Sequence, residues 1–305
     1  VSLPNFLIIG AAKAGTNALY HYLRQHPQVY MSPWKEPKFF AFESEADLGF
    51  RAANGRDAPV NASVILDQAE YEDLFVDADD EELARGEAST HYLYVEKSPG
   101  RIKALIPDAK LVAVLRNPVE RAFSSYQHLV RDDLEPLDFG AALDAEPQRI
   151  AEHYAYLYRY TDMGFYSEQL DRYEKTFPEN QLCVLLYDDL RSDPEGTCRR
   201  IFSFLGVDED FVPDMSGEYN RSGVPKNRSM HRLLNPSAPM KRRLWNVTPR
   251  FARERLLDAQ TKMVNRNLQR QTMPEPERDR LRNVFREEIG RLETRLDRDL
   301  SHWLA

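Results

Sequence analysis

The run Phe6 to Ile9 is apolar and contains β-branched residues; Gly10 to Gly15 follow it, and a helical pattern then runs from Thr16 to Gln25. A short continuous apolar run that ends at glycine reads as a strand buried on both faces. In the helical pattern Ala18, Leu19, Tyr22 and Leu23 make one stripe, and Pro27 closes it. A strand buried on both faces needs cover on both, which a parallel sheet between helices supplies. The pattern recurs. Lys110 to Leu115 reads as a strand that ends at Arg116-Asn117-Pro118, with Pro118 in the first turn of a helix to about Arg131. Leu182 to Leu186 reads as a further strand, and Pro194 to Leu205 as a helix ended by Gly206. Val29 to Met31 predicts a short strand and Gly86 to Ser89 a turn or strand. Helical spacing is present over 66–75, 99–106 and 163–177, and over 276–300 on Leu281, Val284, Phe285, Ile289, Leu292 and Leu296. The expected fold is α/β: three layers, with a central, mainly parallel sheet flanked by helices.

The chain of 305 residues is long enough for one large α/β domain, and it contains no internal repeat or low-complexity linker. A single domain over residues 1–305 is therefore expected. Its net charge of -8 runs against tracking a nucleic-acid backbone, which selects a basic surplus. Lys226 to Arg228 and Lys241 to Arg243 are short basic clusters that read as solvated surface or as a local anion site. Two cysteines, Cys183 and Cys198, make no CxxC pair, and Cys183 lies in an apolar run, so buried reduced thiols are expected. No apolar stretch reaches the length of a membrane span, and Val1 to Asn5 carries no basic-plus-apolar leader, so a cytoplasmic location is expected.

Gly10-Ala-Ala-Lys13-Ala-Gly15-Thr16-Asn17 has the GxxxxG spacing of a P-loop without its GK[ST] ending. A loop that enters a helix N-terminus presents backbone N–H groups, and the helix dipole favours an anion there. Lys13 adds a charge and Thr16 a hydroxyl donor. The displaced lysine and hydroxyl count against a nucleoside triphosphatase; the bland alternative is a tight turn with a solvated lysine.

The stretch Phe6 to Leu19 resembles the 5'-phosphosulfate loop of the sulfotransferases that use 3'-phosphoadenosine 5'-phosphosulfate (PAPS). Val114-Leu115-Arg116-Asn117-Pro118-Val-Glu-Arg121-Ala-Phe-Ser124-Ser-Tyr resembles that family's 3'-phosphate motif. The two motifs lie about 100 residues apart, in the family's order, each at a strand-to-helix junction. The likeness extends through Trp34-Lys35-Glu36-Pro37-Lys38-Phe39-Phe40, Gly86 to Ser89, Tyr187 to Leu190 and Cys198 to Gly206, and it is nearest to the bacterial and heparan-type branch. It implies a P-loop-like fold and a donor site built from Ala12, Lys13, Ala14, Gly15, Thr16, Asn17, Arg116, Ser124 and Tyr187. It also implies PAPS as donor and the bisphosphate PAP as product. An arginine at the carboxyl end of a sheet strand suits bidentate phosphate binding, independently of the resemblance. Arg121 reads equally as a second phosphate ligand or as a surface ion-pair residue.

Sulfuryl transfer needs the acceptor and leaving oxygens in line and charge neutralised on both. Lys13 is the expected partner of the leaving phosphate. By the resemblance Glu36 is the base for the acceptor hydroxyl, and its apolar neighbours Trp34, Phe39 and Phe40 are expected to raise its pKa. His91 is the rival base, and His128, one turn beyond Ser124, is a candidate for the pocket wall. The segment Asn220 to Arg228 resembles the loop that closes over the donor, with Lys226 and Arg228 as candidate phosphate contacts. Inserted segments at about 32–65 and 132–162 are expected to form the acceptor pocket, with a donor-capping loop at about 216–235. The aromatic residues Trp34, Phe39, Phe42, Tyr92, Tyr94, Tyr154, Tyr156, Tyr158 and Tyr160 suit a small metabolite, a lipid or acyl chain, or a saccharide hydroxyl. Neither HxxH, HExxH nor a carboxylate cluster at metal spacing occurs, so no metal is expected. The competing readings are a P-loop-like small-molecule kinase, with Asp188 or Asp189 as its metal-binding acid, and a non-catalytic nucleotide-binding scaffold. A monomer and a homodimer are both compatible with the sequence.

Overall fold

The computed structural model describes residues 3–55, 64–217, 223–226, 268–269 and 271–305. Its centre is a sheet of five parallel strands: β1 (Phe6–Gly10), β2 (Val29–Met31), β3 (Ala84–Ala88), β4 (Lys110–Leu115) and β5 (Leu182–Leu186), in the spatial order β2-β3-β1-β4-β5. Every residue of β1 is buried, and so is β4 from Leu111 onward. That two-sided burial is why these strands read as unbroken apolar runs rather than alternating ones.

The helices are α1 (Thr16–Leu23), α2 (Gln68–Glu72), α3 (His91–Tyr94), α4 (Ser98–Leu105), α5 (Pro118–Arg131), α6 (Phe139–Asp144), α7 (Glu146–Ala151), α8 (Tyr166–Glu174), α9 (Tyr187–Ser192), α10 (Pro194–Leu205) and α11 (Glu275–Leu296). The architecture is the α/β fold expected from the sequence. α1 packs on α10, and α11 packs on α5 and α8. Pro118 opens α5 at its first turn behind Asn117, whose side chain accepts from Val119 N. Gly206 ends α10 with a φ of 80°, the left-handed C-cap that glycine takes without a Cβ penalty. Both cysteines are buried and unbridged. Among the described residues no helix is long and apolar enough to cross a membrane. A short antiparallel pair, β6 (Val224–Pro225) with β7 (Leu268–Gln269), stands apart from the main sheet.

One expectation is corrected: the 163–177 helix begins at Tyr166, with a 3-10 turn over Asp162–Gly164 before it. A tyrosine at every second position from 154 to 160 suits a strand face or a pocket wall; Tyr156–Tyr158 form a 3-10 turn, and Tyr156 and Tyr158 line a cleft. That turn is fixed by the other inserted segment. Arg51 N donates to His153 O and Ala155 N to Arg51 O, both at 3.1 Å, while Phe50 stacks on His153 at 4.4 Å and Phe42 lies parallel to Tyr156. The segments near 32–65 and 132–162 thus hold each other across the carboxyl ends of the strands.

Candidate active site

β1 carries the chain into the loop at residues 10–15, and α1 takes it away. Leu19 N is the first amide to bond back to the loop, at 3.2 Å to Gly15 O, so the amides from Gly15 to Ala18 have no partner within the helix. Gly15 sits at φ 87°, and a Cβ there would meet the Tyr187 ring at 2.8 Å. Lys13 holds a left-handed φ of 69°, a conformation costly for a residue with a side chain. Its ammonium makes no hydrogen bond or ion pair with the described residues, and it faces the cleft. Burial, together with repulsion from Arg131, Arg116 and Lys35 that Asp132 only partly offsets, lowers its pKa to about 7. Ala14 turns away from the cleft: its methyl is fully buried and its amide donates to Ala11 O at 3.2 Å.

Arg116 leaves the end of β4 and returns to the same loop. Its Nη1 donates to Lys13 O at 3.0 Å, and its guanidinium lies 4.9 Å from the centre of the Tyr187 ring. Its ion pair with Glu120 is long, at 4.0 Å, and Glu120 is instead bound at 2.7 Å by Arg278 from α11. The planar cation is therefore held in place with donors to spare for an anion. Ser124, His128 and Asp132 follow at i, i+4 and i+8 along α5 and line one wall of the cleft. Burial and the charges of Lys13 and Arg131 drive the His128 imidazolium well below the usual histidine range. Arg121 is neither a phosphate ligand nor a surface ion-pair residue: it is fully buried and donates to the carbonyls of Arg159 and Tyr160.

The segment after β2 brings Glu36 to the opposite wall. Glu36 N donates to Ala88 O at 3.0 Å and Lys38 N to Ser89 Oγ at 3.0 Å, so this segment hangs on the end of β3. Lys35 Nζ donates to Asn17 Oδ1 at 2.6 Å, which ties the segment to α1. Glu36 and Lys38 both take left-handed backbone, with φ of 62° and 57°. Such strain persists only where surrounding contacts fix it, and it concentrates at functional sites. Glu36 Oε1 accepts from Thr90 Oγ1 at 3.0 Å, its Oε2 accepts from Thr90 N at 3.3 Å, and His91 Nδ1 faces Oε2 at 3.4 Å.

The pKa of Glu36 moves opposite to expectation. Burial does push it up, but the adjacent imidazole and the charges of Lys38 and Lys35 win and hold it at about 2. Trp34, counted among its apolar neighbours, is 47% exposed and leaves the carboxylate to its charged ones. Beneath it Glu87 is fully buried, accepts from Tyr92 Oη at 2.6 Å and Tyr71 Oη at 3.3 Å, and is raised by burial to about 8.

These groups share one cleft of about 390 Å³. Ala12, Lys13, Gly15, Thr16, Asn17, Arg116, Ser124 and Tyr187 line it, and so do Glu36 and His91. Leu129, Leu134, Ala155, Tyr156, Leu157 and Tyr158 give it an apolar end. Most of the remaining aromatic residues proposed for the pocket, among them Phe39, Phe42, Tyr92 and Tyr160, pack in the core instead. Lys226 is exposed and does not line the cleft, and Arg228 lies outside the described residues, as does most of the 216–235 loop. Asp132 was missed as a cleft residue, and the i, i+4, i+8 spacing from Ser124 was the available signal for it; Lys35 and Lys38, read from the sequence as flanking residues that help hold donor or acceptor, do line the cleft.

Asp188 and Asp189 do not line the cleft. Asp188 Oδ2 accepts from Trp303 Nε1 at 2.6 Å and meets His302 Nε2 at 3.1 Å, while Arg298 grips both oxygens of Asp189 at 2.9 and 3.0 Å. Asn117 Nδ2 donates to Trp303 O at 3.0 Å. The 298–303 segment thus fastens α9, which begins at Tyr187, to the turn after Arg116.

Comparison with known proteins agrees with this geometry. The human bifunctional heparan sulfate N-deacetylase/N-sulfotransferase 3 is 32% identical over 212 residues, which cover 67% of this chain and 22% of that protein. Human heparan sulfate glucosamine 3-O-sulfotransferase 3B1 is 31% identical over 226 residues, 73% of this chain and 51% of its own length. The chain therefore spans between about a fifth and about half of these curated relatives. A solved sulfotransferase from Alicyclobacillus acidocaldarius superposes with a TM-score of 0.77 at 35% identity, with all of both chains covered. The sequence profile of the sulfotransferase family matches residues 4–211, which contain both walls of the cleft. On sequence and fold alike, the chain belongs to the sulfotransferase family.

Proposed function

We propose that the chain transfers the sulfuryl group of PAPS to an acceptor hydroxyl by in-line displacement. The observation that carries this reading is the Lys13 ammonium, without a hydrogen bond or ion pair among the described residues, just before α1 and in one cleft with Arg116 and the Glu36–His91 pair. In this reading the loop amides and Lys13 hold the 5'-phosphosulfate, and Lys13 neutralises the phosphate as it leaves. Arg116 and Ser124 hold the 3'-phosphate, with Tyr187 stacked behind the guanidinium. The hydroxyl's proton departs through the Glu36–His91 pair.

The acceptor is a small metabolite, a lipid or acyl chain, or a saccharide, and the apolar end of the cleft receives its body. The heparan sulfate sulfotransferases among the relatives favour the saccharide. The test is calorimetric titration with PAP and, separately, ATP. Tight PAP binding, weak ATP binding and loss of at least tenfold in affinity for Arg116→Ala and Lys13→Ala are expected. Equal affinity for the two nucleotides would overturn the donor assignment.

A further inference from the structure

Glu36 and His91 can act on a hydroxyl proton in two ways: as alternatives, or as one unit. The carboxylate is already engaged. Thr90 supplies a hydroxyl to Oε1 and an amide to Oε2, and His91 Nδ1 faces Oε2 at 3.4 Å. On the imidazole the two nitrogens differ. His91 is 9% exposed; Nδ1 contributes none of that surface and makes no hydrogen bond, with Glu36 Oε2 near it at 3.4 Å but outside hydrogen-bond geometry. The ring lines the cleft, and no described residue bonds to its other nitrogen, Nε2. The ring is held from its other sides by Phe42 at 6.3 Å and Tyr156 at 5.7 Å between centroids.

Resting on the sulfuryl-transfer reading above, we infer that His91 Nε2 takes the acceptor's proton and that Glu36 is the positioning residue, holding the imidazole with its proton on Nδ1. A carboxylate that fixes a histidine through one nitrogen leaves the other bare to act as base. As the acceptor oxygen bonds to sulfur, the sulfur–phosphate oxygen bond breaks and its electron pair stays with PAP. The hydroxyl proton passes to Nε2, and the resulting imidazolium is stabilised by the Glu36 carboxylate through Nδ1–H.

The proton affinities have the same sense. Burial lowers the His91 pKa, which favours a neutral ring, and the groups around Glu36 hold its carboxyl well below the usual carboxylate range. The charged and titratable groups that face the ring are Glu36 and Lys38 from the segment after β2 and Tyr156 from the opposite wall; Glu87 lies behind Glu36 and Lys38.

The experiment is long-range ¹H–¹⁵N NMR on protein labelled at its seven histidines, with the His91 signals assigned through His91→Gln. At neutral pH His91 is expected neutral, with its proton on Nδ1. Glu36→Gln keeps an acceptor oxygen and removes the charge, so the tautomer persists while the proton affinity of His91 falls about tenfold. Glu36→Ala loses the single tautomer as well. The other imidazoles at unchanged positions show that each variant folds. A proton on Nε2, or Glu36 variants that leave the tautomer and titration of His91 unchanged, would overturn the inference. PAP titrated into the unmodified protein separates the two ideas: a protein that does not bind PAP refutes the donor reading, whereas PAP binding with the proton on Nε2 keeps the donor and refutes the dyad.

Discussion

Lys13 makes donor binding a proton-linked event. Its pKa in the ligand-free cleft is about 7, lowered by burial and by Arg131, Arg116 and Lys35. An anionic donor beside it favours the charged form and raises that pKa on binding. The bound state then holds more protons than the free state above pH 7, so affinity falls as pH rises through that value. At pH 6 about nine tenths of Lys13 is charged in the free protein, and at pH 8 about one tenth. If the bound ammonium stays charged throughout, PAP binds roughly tenfold more weakly at pH 8 than at pH 6 on this account, or about 1.4 kcal/mol. The second ionisation of the phosphates of PAP, near pH 6, acts in the opposite direction. Lys13→Met removes the lysine titration and leaves that of the ligand, so the difference between the two proteins isolates the effect. Calorimetry at both pH values, in buffers of unlike ionisation enthalpy, measures affinity and proton uptake together. Uptake of close to one proton at pH 8 is expected for the wild type but not for Lys13→Met. Parallel pH dependences in the two proteins would rule out Lys13 as the linked group.

Further consequences follow from the same contacts. The folded-state pKa of Lys13 lies below its unfolded value, so its charged form costs stability below pH 7 and the cost fades as pH rises towards 10. Lys13→Met should therefore stabilise the ligand-free protein by about 1 kcal/mol at pH 6 and by less at pH 9, which thermal melts at the two pH values would register. Arg116→Lys keeps a charge but loses the planar fork and the stacking on Tyr187, and calorimetry should record a loss of about tenfold in PAP affinity. Gly15→Ala meets both the positive φ and the Tyr187 ring, so a loss of 2 kcal/mol or more is expected in chemical denaturation (about 1–2 from the left-handed backbone alone). Trp303→Phe keeps the ring but removes the donor to Asp188. It should cost roughly 1–3 kcal/mol of stability, and weaker PAP binding by the folded variant would show that the 298–303 segment steadies the Arg116 turn.

The sequence by itself determined the frame. Apolar strands, the glycines at 10 and 15 and Pro118 all act over a few residues, and each strand-to-helix junction is a local event. The positions of Lys13, Thr16, Arg116 and Ser124 on one rim follow once those strands lie parallel. The tertiary structure decided what depends on contact between distant segments and on the dielectric they create. The apolar residues near Glu36 in sequence predict a raised pKa, yet the groups around its carboxylate are His91, Lys38 and Lys35, and the imidazole contact together with the nearby charges outweighs burial. Arg121 occupies a helix position that reads as surface, and the 156–160 turn buries it. The tyrosines at alternate positions alternate as a strand would, but Arg51, Phe42 and Phe50 fold them into a 3-10 turn at the cleft wall. Charge and burial at a site are sums over everything packed around it, and most of what surrounds Glu36 and Arg121 arrives from elsewhere in the chain.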